Sequence, residues 1–217
     1  MHNANFEKNT VSEHYFSSRP QTPHRPGLVR VVLPDVYLEL ATNAGVFSPG
    51  RLDPGTRLLL DEAPAPPPTG DMLDLGCGYG PIACVLAKRA PGATVWAVDV
   101  NERALELCAR NAAAAGLANV RCVTPDDPRV PPRLAGIWSN PPVHIGKAAL
   151  HELLSGWLDR LAPGGQAYLV AGRNLGADSL HRWLAEQGWP VTRRAARNGY
   201  RLLQVEFSSE RAAVTPP

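Results

Sequence analysis

From Asp71 onward, short apolar runs alternate with longer stretches in which apolar and polar positions recur at helical spacing. Residues 72–75, 94–98, 120–123, 136–139 and 166–171 read as buried strands. Between and after them, residues 81–89, 101–115, 148–161 and 177–187 read as helices. Pro81 suits a first helical turn, Asn101 a cap, and Gly116 a helix end. The closing segment changes pattern. Residues 191–195 and 200–207 read as two strands joined by Asn198-Gly199, a pair suited to a tight hairpin turn. Repeated βα units predict an α/β fold, Rossmann-like, with a mostly parallel seven-stranded sheet and a terminal antiparallel hairpin. Ahead of these units, residues 28–33 and 36–40 are strand-like, and residues 56–60 end in an apolar triplet. The expected organisation is a polar N-terminal extension over residues 1–27 and a single domain over residues 28–208. That domain carries N-terminal strands within 28–60 and a proline-rich connector at 61–70. A tail covers 209–217.

Composition narrows the class. The chain has 217 residues, 44% of them hydrophobic, enough for one domain with a full core. A net charge of +2 excludes a strongly basic nucleic-acid coat but leaves room for local basic clusters. The four cysteines, Cys77, Cys84, Cys108 and Cys122, form no C-x-x-C pair and lie in apolar stretches, which predicts reduced core thiols and no metal site. No apolar run reaches membrane-span length, and the N-terminus lacks the apolar core of a signal peptide. A cytoplasmic, soluble protein is expected, with its oligomeric state left open.

The candidate chemistry starts at Asp74-Leu75-Gly76-Cys77-Gly78-Tyr79-Gly80. In an open α/β sheet, ligands bind beyond the carboxyl ends of the strands, and these glycines follow a predicted strand. Glycine there permits positive φ and a close backbone approach. Asp99 ends the next strand, where a carboxylate can accept hydrogen bonds from both hydroxyls of a ribose. A nicotinamide dinucleotide fold would share these features, but its fingerprint is G-x-G-x-x-G. This chain reads G-x-G-x-G behind an acidic Asp74, which favours S-adenosylmethionine over a dinucleotide or an empty turn. The expected cofactor residues are Asp74, Gly76, Cys77, Gly78, Tyr79, Gly80, Asp99, Val100, Asp126 and Asn140. Asp126 would meet the adenine amine, with Asp127 as a rival.

Asn140-Pro141-Pro142, at the end of a later strand, supplies the second element. The nitrogen of a nucleobase or amide amine is a poor nucleophile, because its lone pair is delocalised. Two carbonyl oxygens holding its N–H groups out of the plane would pyramidalise it. Asn140 can offer a side-chain oxygen and Pro141 a backbone oxygen, with consecutive prolines fixing the chain. Asn140, Pro141 and Pro142 are therefore the catalytic candidates, and an aspartate at position 140 would still offer an oxygen. Alone, Asn-Pro also reads as a strand-terminating turn. Val143, His144 and Lys147 follow as candidates for contact with the base or a phosphate, and Trp138 reads as core.

The two motifs together, 74–80 and Asn140-Pro141-Pro142-Val143-His144-Ile145-Gly146-Lys147, resemble the "methyltransferase small" family. Its best-known members are bacterial small-subunit ribosomal RNA guanine-N2 methyltransferases. The resemblance extends upstream to His14-Tyr15-Phe16, Gly45-Val46-Phe47-Ser48, Leu52-Asp53 and Gly55-Thr56, and downstream to Gly199-Tyr200-Arg201, covering about residues 14–207. It implies the class I S-adenosylmethionine-dependent methyltransferase architecture and places Phe47 and Ser48 near the cofactor or the base. Two departures stand out. The two-domain members carry an extra N-terminal half, and this chain reads as the catalytic half alone. Many N-methyltransferases also place an aromatic residue after Asn-Pro-Pro, where this chain has Val143; Phe47 is the candidate to compensate.

Arginines 193, 194, 197 and 201 cluster in the terminal hairpin, and Arg19, His24 and Arg25 punctuate the N-terminus. Arg193, Arg194 and Arg201 are candidate contacts to RNA phosphates, against the plainer reading of a solvated basic surface. The leading expectation is an S-adenosylmethionine-dependent N-methyltransferase acting on a guanine amine in ribosomal RNA, with ribosomal RNA or the subunit as partner. The alternatives are a methyltransferase for a protein glutamine amide, a non-catalytic cofactor-binding module and a nicotinamide oxidoreductase.

Overall fold

The computed structural model describes residues 25–209. His14, Tyr15, Phe16, Arg19 and His24 lie outside the described residues. Two antiparallel strands come first, β1 (Gly27–Val32) and β2 (Tyr37–Thr42). Both alternate buried and exposed positions, as a ribbon with one face on the core must. The next segment, read from the sequence only as ending in an apolar triplet, is a helix. Residues Pro54–Glu62 form helix α1, because Asp53 caps it through a 2.9 Å bond from the Thr56 amide and Pro54 presets the first turn. The proline-rich connector is correspondingly short, since α1 runs to Glu62 and the next strand begins at Thr69.

The main sheet has seven strands in the order β5-β4-β3-β6-β7-β9-β8. They are β3 (Thr69–Leu75), β4 (Gly92–Val98), β5 (Val120–Val123), β6 (Leu134–Ser139), β7 (Leu161–Gly172), β8 (Val191–Arg197) and β9 (Tyr200–Glu206). The first five of these pair in parallel, while β9 runs antiparallel to both β7 and β8. The expected parallel sheet with a terminal hairpin is therefore present. The helices are α2 (Pro81–Arg89), α3 (Glu102–Ala114), α4 (Lys147–Leu158) and α5 (Ala177–Glu186).

Adjacent residues in each central strand point to opposite faces, and two cores result. Met72, Trp138, Val170 and Leu202 pack with α1, α2, α3 and the β1–β2 ribbon. Leu73, Ile137, Leu169 and Leu203 pack with α4 and α5. Trp138 is a core residue, 2% exposed, tilted against Tyr168. The four cysteines are unpaired, and three of them are buried. No helix among the described residues is long and apolar enough to cross a membrane.

Asn111 ties the ribbon to the sheet's ligand end. Its buried amide accepts from Ala41 N at 2.8 Å and donates to the carbonyls of Ala41 and Tyr79 at 2.9 and 2.8 Å. One side chain on α3 thereby fixes the edge of β2 against the glycine loop. After β3 the chain builds β4 and β5 on one side, then returns to lay β6 on the other side of β3. The strand order reverses beside β3, and the crevice outside its carboxyl end is where such folds hold ligands.

Candidate active site

A cavity of about 650 Å³ opens at that point. Its floor is the loop joining β3 to α2. Gly76 and Cys77 amides both donate to the Val98 carbonyl, at 2.8 and 3.0 Å, so the loop is sewn to the end of β4. Gly76, Gly78 and Gly80 all have positive φ, of 76°, 55° and 91°. Gly80 also has no room for a side chain, since a Cβ would stand 2.5 Å from Cys108 Sγ. All three glycines thus answer to backbone geometry, and Gly80 to close packing as well.

Asp74 departs from its expected place. It does not line the cavity but lies fully buried beneath the loop, where Oδ2 accepts from Ala83 N at 2.8 Å in the first turn of α2. Its Oδ1 is buried without a partner among the described residues. Burial pushes its pKa up to about 8, partly offset by the Ala83 bond and reinforced by Asp99. A carboxyl that holds its proton more tightly when folded stabilises the fold fully below its unfolded value of about 4. That contribution is lost as pH rises toward about 8. Asp74→Asn should flatten this decline, measured as urea unfolding free energy from pH 5 to pH 8. Equal slopes in both proteins would show that Asp74 is already ionised at pH 5.

Asp99 stands at the mouth of the same loop. Its Oδ2 accepts from Gly78 N and its Oδ1 from Asn101 N, each at 2.9 Å. Burial raises its pKa, against the lowering effect of the bonds from Asn101, Gly78 and Val100. Asn101 does three jobs. Its Oδ1 caps α3 through Arg103 and Ala104, its amide N–H bonds Asp99, and its Nδ2 donates to Gly45 O at 2.9 Å. Arg103 adds a bond to Ala44 O at 2.9 Å. These contacts pin the loop that carries Phe47 and Ser48 over the cavity, which both residues line. Ser48 holds a left-handed φ of 49°, with its hydroxyl donating to Arg51 O at 2.6 Å.

The opposite wall is the turn after β6. Ser139 is fully buried and donates to Leu75 O at 2.7 Å, locking the ends of β6 and β3 together. Asn140 follows. Its Nδ2 donates to Asp53 Oδ2 at 2.9 Å and to Thr56 Oγ1 at 3.1 Å. The same Asp53 Oδ2 accepts from the Thr56 amide, so the NH₂ end of Asn140 is the end that faces it. The Oδ1 end then faces away, and it accepts no hydrogen bond from any described residue. Tyr200 completes the set, its hydroxyl 3.4 Å from Asp53 Oδ1. Gly55 lets the Tyr200 ring close in, for a Cβ there would meet that ring at 2.7 Å. Pro141 lines the cavity beside Asn140. Its carbonyl already accepts from Val143 N at 2.8 Å, across Pro142 at φ −74° and ψ 73°, an inverse γ-turn. One lone pair is spent, and one is left for a ligand.

Of the other expected residues, Cys77, Tyr79, Val100, Pro142, Val143 and His144 line the cavity. Asp126 does not. The turn closed by Asp127 N on Thr124 O leaves Asp126 exposed, and Pro125 lines the wall in its place. Lys147 is exposed at the start of α4, outside the cavity. Arg193 and Arg201 pair with Asp178, while Arg194 reaches Glu62 O and Gln204; none lines the cavity. Asp53, Thr56 and Tyr200 are the site residues that the motif reading missed. The Asp53-Pro54 pair, an N-cap followed by a helix-starting proline, was the available signal.

The cavity suits S-adenosylmethionine: a backbone cradle on one side, a carboxylate for a ribose, and apolar walls from Val98, Val100 and Ala104. Gly76 to Tyr79 would hold the amino-acid end and Asp99 the ribose. Asp99→Ala should weaken cofactor binding about tenfold, the lower end for a bond to a charged group, since Gly78 and Asn101 already share that carboxylate. The wild-type affinity should fall as pH drops through the raised pKa of Asp99, while the Ala variant stays flat. Titration calorimetry with the folded variant decides; unchanged affinity removes Asp99 from the site.

Comparison with known proteins agrees with this geometry. An uncharacterised Bacillus subtilis (strain 168) protein, YbxB, is 32% identical over 90% of this chain and 99% of its own length. Ribosomal RNA small subunit methyltransferase C of Pseudomonas aeruginosa (strain UCBPP-PA14) is 39% identical over 70% of this chain and 48% of its own. A T. thermophilus 16S rRNA N2-guanine methyltransferase, solved with AdoMet and guanosine, superposes with a TM-score of 0.73. It is 25% identical, over 87% of this chain and 52% of that one. The chain spans about half the length of these last two. The cofactor of such domains is S-adenosylmethionine. The description "Methyltransferase small domain" matches residues 37–204, from β2 through β9, and the chain belongs to that family.

Proposed function

We propose that this protein methylates the exocyclic amine of a guanine in small-subunit ribosomal RNA, in the cytoplasm. The observation that carries the reading is the fixed orientation of Asn140, with Nδ2 held by Asp53 and Thr56 and Oδ1 left for an acceptor. Bound in the cavity, S-adenosylmethionine supplies an electrophilic methyl on a sulfonium, so no strong general base is required. The work of the chain is to present the nucleophile. Asn140 Oδ1 accepts one N–H of the acceptor amine. The remaining lone pair of the Pro141 carbonyl is placed for the other, and Pro142 holds that carbonyl by its γ-turn. Together they favour the pyramidal nitrogen of the transition state. Phe47, 45% exposed, and Val143 both line the cavity and are the candidates to flank a base there. The relatives named for small-subunit RNA methylation support RNA as the substrate class.

The test is mass mapping of ribosomal RNA from cells lacking the protein. One guanine should lose a methyl, and purified protein with S-adenosylmethionine should restore it on naked RNA or on the subunit. An unchanged methylation map, with label from the purified protein entering a polypeptide, would assign the site to a glutamine amide.

A further inference from the structure

The tip of the terminal hairpin stays bonded beside the end of β7. Asn198 and Gly199 turn with φ of 52° and 80°, and Gly199 O accepts from Arg173 N at 2.7 Å. Beneath this turn lies a second cavity of about 210 Å³, lined by Arg173, Arg197, Arg201 and residues 198–200. Tyr200 lines both cavities, so the small one adjoins the Asp53–Asn140 side of the active site. The three guanidiniums differ in their partners. Arg197 is paired with Asp61 and Glu62, and Arg201 with Asp178. Arg173 is exposed and its side chain has no partner among the described residues.

We propose that this pocket binds a phosphodiester of the nucleic-acid strand next to the nucleotide presented to Asn140. The proposal rests on the reading of that acceptor as a base in RNA. The chemistry is direct. Arg197 and Arg201 are held in place by carboxylates, which stiffens the wall, while Arg173 keeps its full donor set for a phosphate oxygen. The site follows from the fold and not from charge density, for Arg193 and Arg194, which look equivalent in sequence, are engaged elsewhere.

The test compares single-stranded RNA binding by fluorescence anisotropy over a salt series. Arg173→Glu should weaken binding about tenfold and reduce the salt slope by about 0.7, the value for one lost phosphate on a single strand. Arg173→Lys should keep most of the affinity. Arg121→Glu makes the same charge change on β5, the opposite edge of the sheet, and should cost no more than about twofold. Cofactor affinity, measured by calorimetry, should be unchanged in all three. Equal losses for Arg173→Glu and Arg121→Glu, no loss for either, or no RNA binding by the wild type overturns the proposal. So does inorganic phosphate competing as tightly as the RNA, which would assign the pocket to free phosphate. Failure of the wider reading shows separately, as absence of methyl transfer to small-subunit RNA.

Discussion

Asn140→Ala should lower kcat for methyl transfer by about 10²–10³, by analogy with removing one preorganised transition-state hydrogen bond. Cofactor affinity should stay near the wild-type value, because Asp99 and the glycine loop are untouched. The loss belongs in kcat, since the pyramidal nitrogen exists only near the transition state and a planar amine gains little from the same oxygen. Single-turnover methylation of the RNA substrate measures it. A variant as fast as wild type would reduce Asn140 to a turn residue. The sequence suggested that aspartate at 140 would serve as a milder change, since it keeps an oxygen. The structure reverses that expectation. A carboxylate there would face Asp53 Oδ2 where the amide now donates at 2.9 Å. Two facing carboxylates repel each other, and the pair keeps this geometry only while one of them holds a proton. Asn140→Asp should therefore be severely impaired at neutral pH and recover partly as pH falls.

The sheet was legible because its parallel strands are buried on both faces and read as unbroken apolar runs between glycines. The loop over residues 74–80 was legible for a related reason: positive φ leaves glycine as a visible mark. Helix α1 was not. Leu58-Leu59-Leu60 looks the same in a strand or a buried helix, and periodicity over so few residues does not separate them. Carboxylates were the hardest to place. Asp74 sits in the motif, yet its side chain turns under the loop. Asp126 follows the right strand, yet one tight turn swings it into solvent. Asp53 had only the resemblance and its capping place before Pro54 to mark it, because its partners Asn140 and Tyr200 are 87 and 147 residues away along the chain. The arginines of the hairpin teach the same lesson. Sequence gives their charge, but only the fold shows that Asp178, Asp61 and Glu62 occupy most of them, while Arg173, just after β7, stays available beside the hairpin tip.

Asp53 has two duties, and variants can separate them. It caps α1 through Thr56 N, and it orients Asn140 through Nδ2, both on the same oxygen at 2.9 Å. Asp53→Ala should lose both. The cap costs about 1 kcal/mol of stability, and kcat should fall about a hundredfold as the Asn140 amide becomes free to rotate its oxygen out of place. Asp53→Ser restores a good N-cap but is too short to hold Asn140, so its stability should return while kcat stays low. Asp53→Asn keeps an oxygen of the same reach for both donors, and its own NH₂ can donate to the Tyr200 hydroxyl, which now lies 3.4 Å from Oδ1. That variant should lie within about tenfold of wild type in kcat, because it keeps the geometry and gives up only the charge on the acceptor. KM for S-adenosylmethionine should be unmoved throughout, since Asp53 bonds none of the residues assigned to the cofactor loop. If the serine variant regained full kcat together with its stability, Asp53 would be a helix cap and nothing more. Recovery by asparagine but not by serine is the signature of a residue that acts by aiming the oxygen of Asn140.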